Sequence, residues 1–279
     1  MLGGDGPTEV EVLLETESDG PGATAPAAMN ASPDCFDLTI PGVARYRVER
    51  GEAVAIAPVD GADSDAVRLF LLGSALGALL HQRGVLPLHG AAVRTDKGYL
   101  VIVGTSGSGK SSLSAALGQR GWAVASDDIS AVRIIDGQAC VAPGYPERKV
   151  WPDVLAMLGD DADQYPRVRA GLEKRRVPID KFSGDTAPLV AVIGLVASAV
   201  DEPIFTPING GLQMMVLKHH TYRPSLSVPL GAHRDHFATI TTIASQSRMW
   251  QLERPRAGIT PAALADALES HLGGEGISR

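Results

Sequence analysis

The stretch Gly104-Thr105-Ser106-Gly107-Ser108-Gly109-Lys110-Ser111-Ser112 constrains this chain more than any other. The apolar run Tyr99-Leu100-Val101-Ile102-Val103 precedes it and Leu113-Ser114-Ala115-Ala116-Leu117 follows, so the segment reads as strand, glycine-rich turn, helix. In that order the pattern G-x-x-x-x-G-K-[ST] makes a phosphate cradle. Glycines let the backbone curl until successive N–H groups point inward, and the new helix adds its positive N-terminal end. Gly104, Ser106, Gly107, Ser108, Gly109 and Ser112 are then the nucleotide-binding backbone, Lys110 reaches the β- and γ-phosphates, and the Ser111 hydroxyl ligates Mg²⁺. The plain alternative is a Gly/Ser-rich surface turn, which the flanking strand and helix patterns argue against.

Composition narrows the rest. At 279 residues, with 44% hydrophobic and 20% charged side chains, the chain is long enough for one large or two small domains with a proper core. A net charge of −7 and a pI near 5.5 argue against a nucleic-acid-binding surface. Cys35 and Cys140 lie far apart without C-x-x-C spacing, so neither a disulfide framework nor a zinc site is expected. With no basic segment ahead of an apolar core at the N-terminus, and no run of about 18 apolar residues, the expectation is a cytoplasmic protein without a membrane partner.

Thr8 to Thr16 reads as a short strand, and Glu17 to Ala28 as a linker too poor in large apolar groups to repay ordering. Alternation in Phe36–Ile40, Ala44–Val48 and Ala53–Ile56, with Pro41-Gly42 and Arg50-Gly51-Glu52 between, predicts a small antiparallel meander. Val67, Leu71, Leu72, Ala75, Leu79 and Leu80 then fall at helical spacing within Ala66–Gln82, a helix with one core-packing face. Leu86 to Arg94 is a strand, which Thr95-Asp96-Lys97-Gly98 turns back into the strand feeding the glycine-rich loop.

After the loop helix, Trp122–Ala125 reads as a short buried strand running into Ser126-Asp127-Asp128. Two carboxylates at a strand end beside a phosphate loop have a chemical use: one holds Mg²⁺ or its water, and the other accepts a proton from an attacking hydroxyl. An aspartate pair capping a turn is the alternative.

The ordered set His89-Gly90, Gly104 to Ser111, Arg120-Gly121 and Asp127-Asp128 resembles the catalytic half of the HPr serine kinase/phosphorylase family, with intervals of 21 residues from His89 to Lys110 and 18 from Lys110 to Asp128. The resemblance implies an α/β fold with a P-loop nucleotide-binding core similar to HPr kinase and phosphoenolpyruvate carboxykinase. On the same resemblance Lys110 contacts phosphate, Ser111 binds Mg²⁺, Asp128 is the general base on an acceptor serine, and His89 lies beside it. It divides the chain into a tail with a small β appendage over residues 1–60 and a catalytic domain over 61–279.

Three departures mark the chain: Ser112 stands where bifunctional members carry an acidic residue, Pro143–Asp153 stands where their later glycine-rich signature falls, and the N-terminal meander is too short to be their separate N-terminal domain. Around Leu71–Gly77 and Leu88–Ala91 the chain is similar instead to the compact HPr-kinase-like group encoded with lasso-peptide genes. That similarity implies a serine at or near the C-terminus of a precursor peptide as acceptor, ATP and Mg²⁺ as cofactors, and leaves a homo-oligomer open. A small-molecule kinase on the same scaffold and a non-catalytic nucleotide sensor are the rival readings.

Glu147 is a second candidate for Mg²⁺, and Arg148 and Lys149 are candidates for neutralising transferred charge; a solvated charge cluster fits equally well. Lys174, Arg175 and Arg176 are candidates for contacting nucleotide or peptide, or simply a wet face. Val154 to Arg169 suggests a helix interrupted at Gly159–Asp163, Pro188 to Val200 a central buried strand, and Leu212 to Lys218 a helix ending near His219-His220. His233 and His236 have metal-like spacing but no third ligand. A helix over Phe237–Ser247, a strand over Met249–Leu252, a terminal helix from Thr260 and a frayed tail after Leu272 complete the expectation.

Overall fold

The computed structural model describes residues 10–15 and 26–279. The fold is mixed α/β, and its internal contacts divide it into two units. One comprises Met1–Leu86 with Val168–Leu172 and Arg223–Phe237; the other comprises Pro87–Arg167, Glu173–Tyr222 and Ala238–Arg279.

In the first unit, strands β1 (Glu11–Leu14), β2 (Ala28–Ala31), β3 (Cys35–Ile40), β4 (Ala44–Glu49) and β5 (Ala53–Pro58) form one sheet in the order β1-β5-β4-β3-β2. The strict alternation read in the sequence sets its two faces: Ala44, Tyr46 and Val48 of β4 are buried while Arg45 and Arg47 between them share Asp37. Helix α1 (Ser64–Phe70), capped by the Asp63 side chain, continues through a π-helical turn (Leu71–Ala75) into α2 (Leu76–Gln82). The whole segment is long and apolar enough to cross a membrane by length and composition. Its Ala75, Ala78 and Leu79 nevertheless pack on Phe36, Tyr46 and Ile56, and the Tyr46 hydroxyl donates to the Val67 carbonyl at 2.9 Å. Ala28, read as the end of a linker, instead opens an edge strand paired with β3. Thr8, Glu9 and residues 16–25 lie outside the described residues.

The second unit is built on β6 (Leu86–Thr95), β7 (Gly98–Val103), helix α3 (Lys110–Gln119), β8 (Val124–Ser126), β9 (Ile129–Ile135) and β10 (Gln138–Ala142). β11 (Glu147–Val150), α4 (Pro152–Met157), β12 (Arg167–Arg169), β13 (Leu172–Pro178), β14 (Ala187–Ser198) and β15 (Ile204–Pro207) follow, with Val168 and Arg169 of β12 and Leu172 of β13 counted in the first unit. The chain ends through α5 (Gly211–His219), α6 (His233–Gln246), whose residues up to Phe237 belong to the first unit, β16 (Arg248–Pro255) and α7 (Pro261–Gly274).

The main sheet runs β10-β9-β6-β7-β14-β16-β15, with β8 paired to β6, and β10 returns to pair with β14. β7 has every residue buried, as a strand covered on both faces requires. It lies antiparallel to β6 and parallel to β14, which is parallel to β16. Leu113, Ala116 and Leu117 of α3 and Leu264, Leu268 and Leu272 of α7 cover it.

Three expectations are corrected. The helix read over Val154–Arg169 stops at the interruption expected at Gly159–Asp163, because Gly159 takes a φ of 76° just past the end of α4, but it does not resume: the Asp161 side chain caps a single 3₁₀ turn, and β12 follows Pro166, which has no N–H to continue a helix. The short strand read over Trp122–Ala125 begins only at Val124 and extends to Ser126. The end of the chain is docked rather than frayed. Ile277 is buried, its N–H meets the Leu272 carbonyl at 2.9 Å, and Ser278 exchanges bonds with Asp96.

His236 belongs to the first unit and is a packed histidine, 3% exposed. Its Nε2–H donates to the Val85 carbonyl at 3.0 Å and its Nδ1 lies 3.2 Å from the Ser227 hydroxyl, which donates to it when the ring is neutral. Burial, with the neighbouring His81, pushes its pKa down to about 4. The unfolded chain therefore takes up a proton below pH 6.5 that the folded one resists, so this stability is full above pH 6.5 and is lost towards about pH 4. In His236→Gln the fall in melting temperature between those limits should be shallower than in the wild type, by an amount equivalent to at most ~3 kcal/mol. Identical slopes in a pH series of thermal melts would refute it.

Candidate active site

Strand direction assembles the site. Because β6 is antiparallel to β7, with Gly90 opposite Val103, His89 at the start of β6 lies at the end where β7 delivers the glycine-rich turn. β8 is antiparallel to β6, with Ser126 opposite Ala92, so Asp127 and Asp128 emerge at the same edge and the Gly90 N–H meets the Asp128 carbonyl at 3.2 Å. β11 then brings Lys149 past both carboxylates. The result is a cavity of about 590 Å³ lined by His89, Ser106, Gly107, Gly109, Lys110, Ser111, Ser112, Asp127, Asp128, Lys149 and Lys174, with an apolar side made by Val154, Met157, Ile259, Pro261 and Leu264.

The turn itself is tightly determined. Gly107 and Gly109 have φ of 81° and 107°, which side-chain-bearing residues rarely adopt, and α3 starts directly after Gly109. At Gly104 a β-carbon would fall 2.6 Å from the Leu195 carbonyl oxygen and 2.6 Å from Ser108 Oγ, so only glycine lets the chain leave β7 here. Gly104 and Ser108 therefore lie beneath the turn, outside the cavity lining, and the Ser108 hydroxyl is buried without a partner among the described residues. Lys110 is 6% exposed and folds back, its Nζ donating to the carbonyls of Gly104 (2.7 Å) and Thr105 (3.1 Å). Burial holds its pKa below the ordinary lysine value despite Asp128 and Asp127 nearby.

The two aspartates have separate environments. Asp127 is buried; that burial raises its carboxyl pKa against the Ser111 hydrogen bond and the Arg148 charge, and its Oδ1 has no hydrogen-bond partner among the described residues. A buried carboxylate oxygen left open beside a serine hydroxyl is what a hard, oxygen-seeking cation such as Mg²⁺ would complete, with phosphate and water supplying its other ligands. Among the described residues no three His, Cys, Asp or Glu side chains converge to hold an ion by themselves.

For Asp128, burial also raises the pKa, but the Lys149 ammonium at 2.8 Å from Oδ2, with help from His89 and Lys174, reverses it, and the carboxyl ends below its ordinary value. Lys149 is correspondingly raised by Asp128 and Tyr145 over the opposing effect of burial. His89 Nδ1 stands 3.4 Å from Asp128 Oδ1 and 3.1 Å from the Asp128 carbonyl. A carbonyl only accepts, so that bond requires the Nδ1–H tautomer. Burial and the Lys110 charge lower the His89 pKa, against the pull of Asp128.

Not every candidate reaches the cavity. Glu147 and Arg148 precede Lys149 on β11 but do not line it; Arg148 is buried with its guanidinium against Gly118 of α3. Lys174 lines it and rests on the Trp151 ring, 5.3 Å from its centre, whereas Arg175 turns to Asp163 at 3.3 Å and Arg176 is outside the lining. Sequence reasoning gave no role to two of three further contributors, Arg254 and Tyr145, and read the third, His220, only as a helix terminator or a residue at a peptide groove. Arg254 at the end of β16 donates to the Ser108 carbonyl at 2.7 Å, Tyr145 is hydrogen-bonded to Lys149, and His220 accepts the His89 N–H on its carbonyl at 2.7 Å. Tyr145 lay within the segment noted for departing from the family pattern, but Arg254 carried no signal, because nothing in local spacing links it to a turn so far back in the chain.

No family model matches this chain, and no curated protein matches it in sequence. Among solved structures it is similar to the HPr(Ser) kinase/phosphatase from Coxiella burnetii, over 68% of this chain and 98% of that one, at 15% identity and a TM-score of 0.38. That likeness is one of partial backbone shape and says nothing of chemistry.

Proposed function

We propose that the protein is an ATP-dependent phosphotransferase acting on a serine hydroxyl, with the C-terminal serine of a lasso-peptide precursor as the acceptor implied by the sequence resemblance. The observation that carries the reading is the Asp128 carboxylate, held ionised between Lys149 and His89 in the same cavity as the glycine-rich turn, Lys110, Ser111 and Asp127. The turn's N–H groups and the start of α3 favour an oligophosphate, and Lys110 is in reach of it. ATP·Mg²⁺ supplies the γ-phosphoryl group, the cation neutralising charge on the β- and γ-phosphate oxygens. Ser111 and Asp127 would hold that cation. Asp128 orients the acceptor hydroxyl and takes its proton as the new oxygen–phosphorus bond forms and the bond to the β-phosphate oxygen breaks. Lys149, charged throughout, keeps Asp128 unprotonated until that moment. His89, with Nδ1 3.4 Å from Asp128 Oδ1, flanks the carboxylate at its other oxygen.

Incubation with ATP·Mg²⁺ and a serine-ended precursor peptide should add about 80 Da to the peptide by mass spectrometry, the mass of one phosphoryl unit. Lys110→Ala should abolish the gain, and Asp128→Asn should lower kcat by about a hundredfold or more. A phosphorylated metabolite with an unchanged peptide would make it a small-molecule kinase. Nucleotide binding with no transfer would make it a sensor, and full activity in Asp128→Asn would remove the general-base role.

The pH profile carries a signed prediction. Activity requires ionised Asp128 and is lost as pH falls through its lowered pKa. Lys149→Met leaves burial unopposed by its principal cation, so the Asp128 pKa rises and the acidic limb of kcat/KM should move to higher pH. An unmoved limb in that variant would show that Lys149 does not set the state of Asp128.

A further inference from the structure

We infer that Arg254 is a positioning residue for the glycine-rich turn, fixing the Ser108–Gly109 peptide plane that an oligophosphate must find already set. The inference rests on the phosphate-binding reading above and adds a residue to it. β7, β14 and β16 run parallel, with Val103 opposite Gly194 and Gly194 opposite Gln251. The chain leaves β7 after Val103 to form the turn, while β16 continues from Gln251 to Arg254 at about 3.3 Å per residue. Arg254 therefore stands beside the turn, at the carboxyl edge where parallel sheets take their ligands.

At the edge of the cavity, which it also lines, its guanidinium holds two backbone carbonyls in a forked arrangement. Nε donates to the Ser108 carbonyl at 2.7 Å and Nη1 to the Pro255 carbonyl at 2.8 Å. It also lies over Gly109, where a β-carbon would fall 3.3 Å from Nε. The described chain contains no cis peptide, so a carbonyl and the next N–H point opposite ways; holding the Ser108 oxygen turns the Gly109 N–H to the face away from the guanidinium. Lys110 does not perform this task, because its ammonium is bonded to Gly104 and Thr105. Without Arg254 the Ser108 carbonyl loses its donor, and Gly109, with no side chain, places little restraint on the plane. The anion would then have to order the turn as it binds, and affinity would fall. Lysine does not reproduce the fork, since its donors radiate from one nitrogen on a flexible stem whereas here two nitrogens fixed in one plane hold the two carbonyls.

The test is calorimetric titration of inorganic tripolyphosphate with Mg²⁺ into the full chain, comparing wild type, Lys110→Ala, Arg254→Ala and Arg254→Lys, each with a thermal melt. Arg254→Ala should weaken binding about tenfold or more, and Arg254→Lys nearly as much, in protein that is still folded at the titration temperature. Should Arg254→Ala fail to fold, Arg254→Lys carries the same comparison. Unchanged affinity in both variants with a lowered melting temperature would make Arg254 merely structural and overturn the inference. Full rescue by lysine would also overturn it, since charge alone would then suffice. Tripolyphosphate bound by wild type, lost in Lys110→Ala and retained in Arg254→Ala overturns this inference alone. No binding by wild type overturns the phosphate-binding reading with it.

Discussion

The directions of the strands around β7 are the constraint from which the site follows. With an antiparallel neighbour on one side and a parallel one on the other, the carboxyl end of β7 faces the start of β6 and the ends of β8, β14 and β16. His89, the turn at Gly104, Asp127 and Arg254 come from four separate places in the chain and meet because each lies in or just beyond the end of a strand that reaches the same edge. Reversing β6 would leave the turn intact and remove His89 and the β8 carboxylates from its side. The fully buried β7 holds the edge in register, since a slip of its pairing would shift every side chain of a strand packed on both faces.

On that edge the electrostatics divide two adjacent carboxylates into different groups. Both lose water, and desolvation is the largest influence on each. Asp128 has an ammonium at 2.8 Å and ends acidic; Asp127 has a serine hydroxyl and a more distant guanidinium and ends with a raised pKa and one open oxygen. Paired titratable groups whose surroundings push them apart are a recurrent feature of sites that move protons. The Lys149 contact makes the division, and Lys149 arrives on β11, a strand whose other charged residues, Glu147 and Arg148, stay outside the cavity.

Much of this was legible in the residues. The apolar run, the spaced glycines and the helix-forming segment after Lys110 mark the turn, because each is a local backbone requirement that only certain residues meet. The meander of the first unit was legible for the same reason, its alternation showing directly in the burial of β4. The helix expected over Val154–Arg169 broke at Gly159, as read, and its second half failed where local signals, the Asp161 cap and Pro166, outweighed an apolar pattern. The docked tail was missed because Ile277 gains its place only from a core assembled elsewhere.

By itself the sequence determined the strand–turn–helix, the adjacency of Asp127 and Asp128, and the supply of basic residues on β11 and β13, all of which are short-range facts of chain order. Which of those basic residues point at the carboxylates was decided only by tertiary structure. Alternation along β11 and its pairing with β13 turn Lys149 inward, put Arg148 beneath α3 and send Arg175 to Asp163. Arg254 shows the limit most plainly. Its bond to Ser108 depends on the parallel register of two strands far apart in the chain, and such a register is set by packing of the whole sheet rather than by any pattern a local stretch of residues can carry.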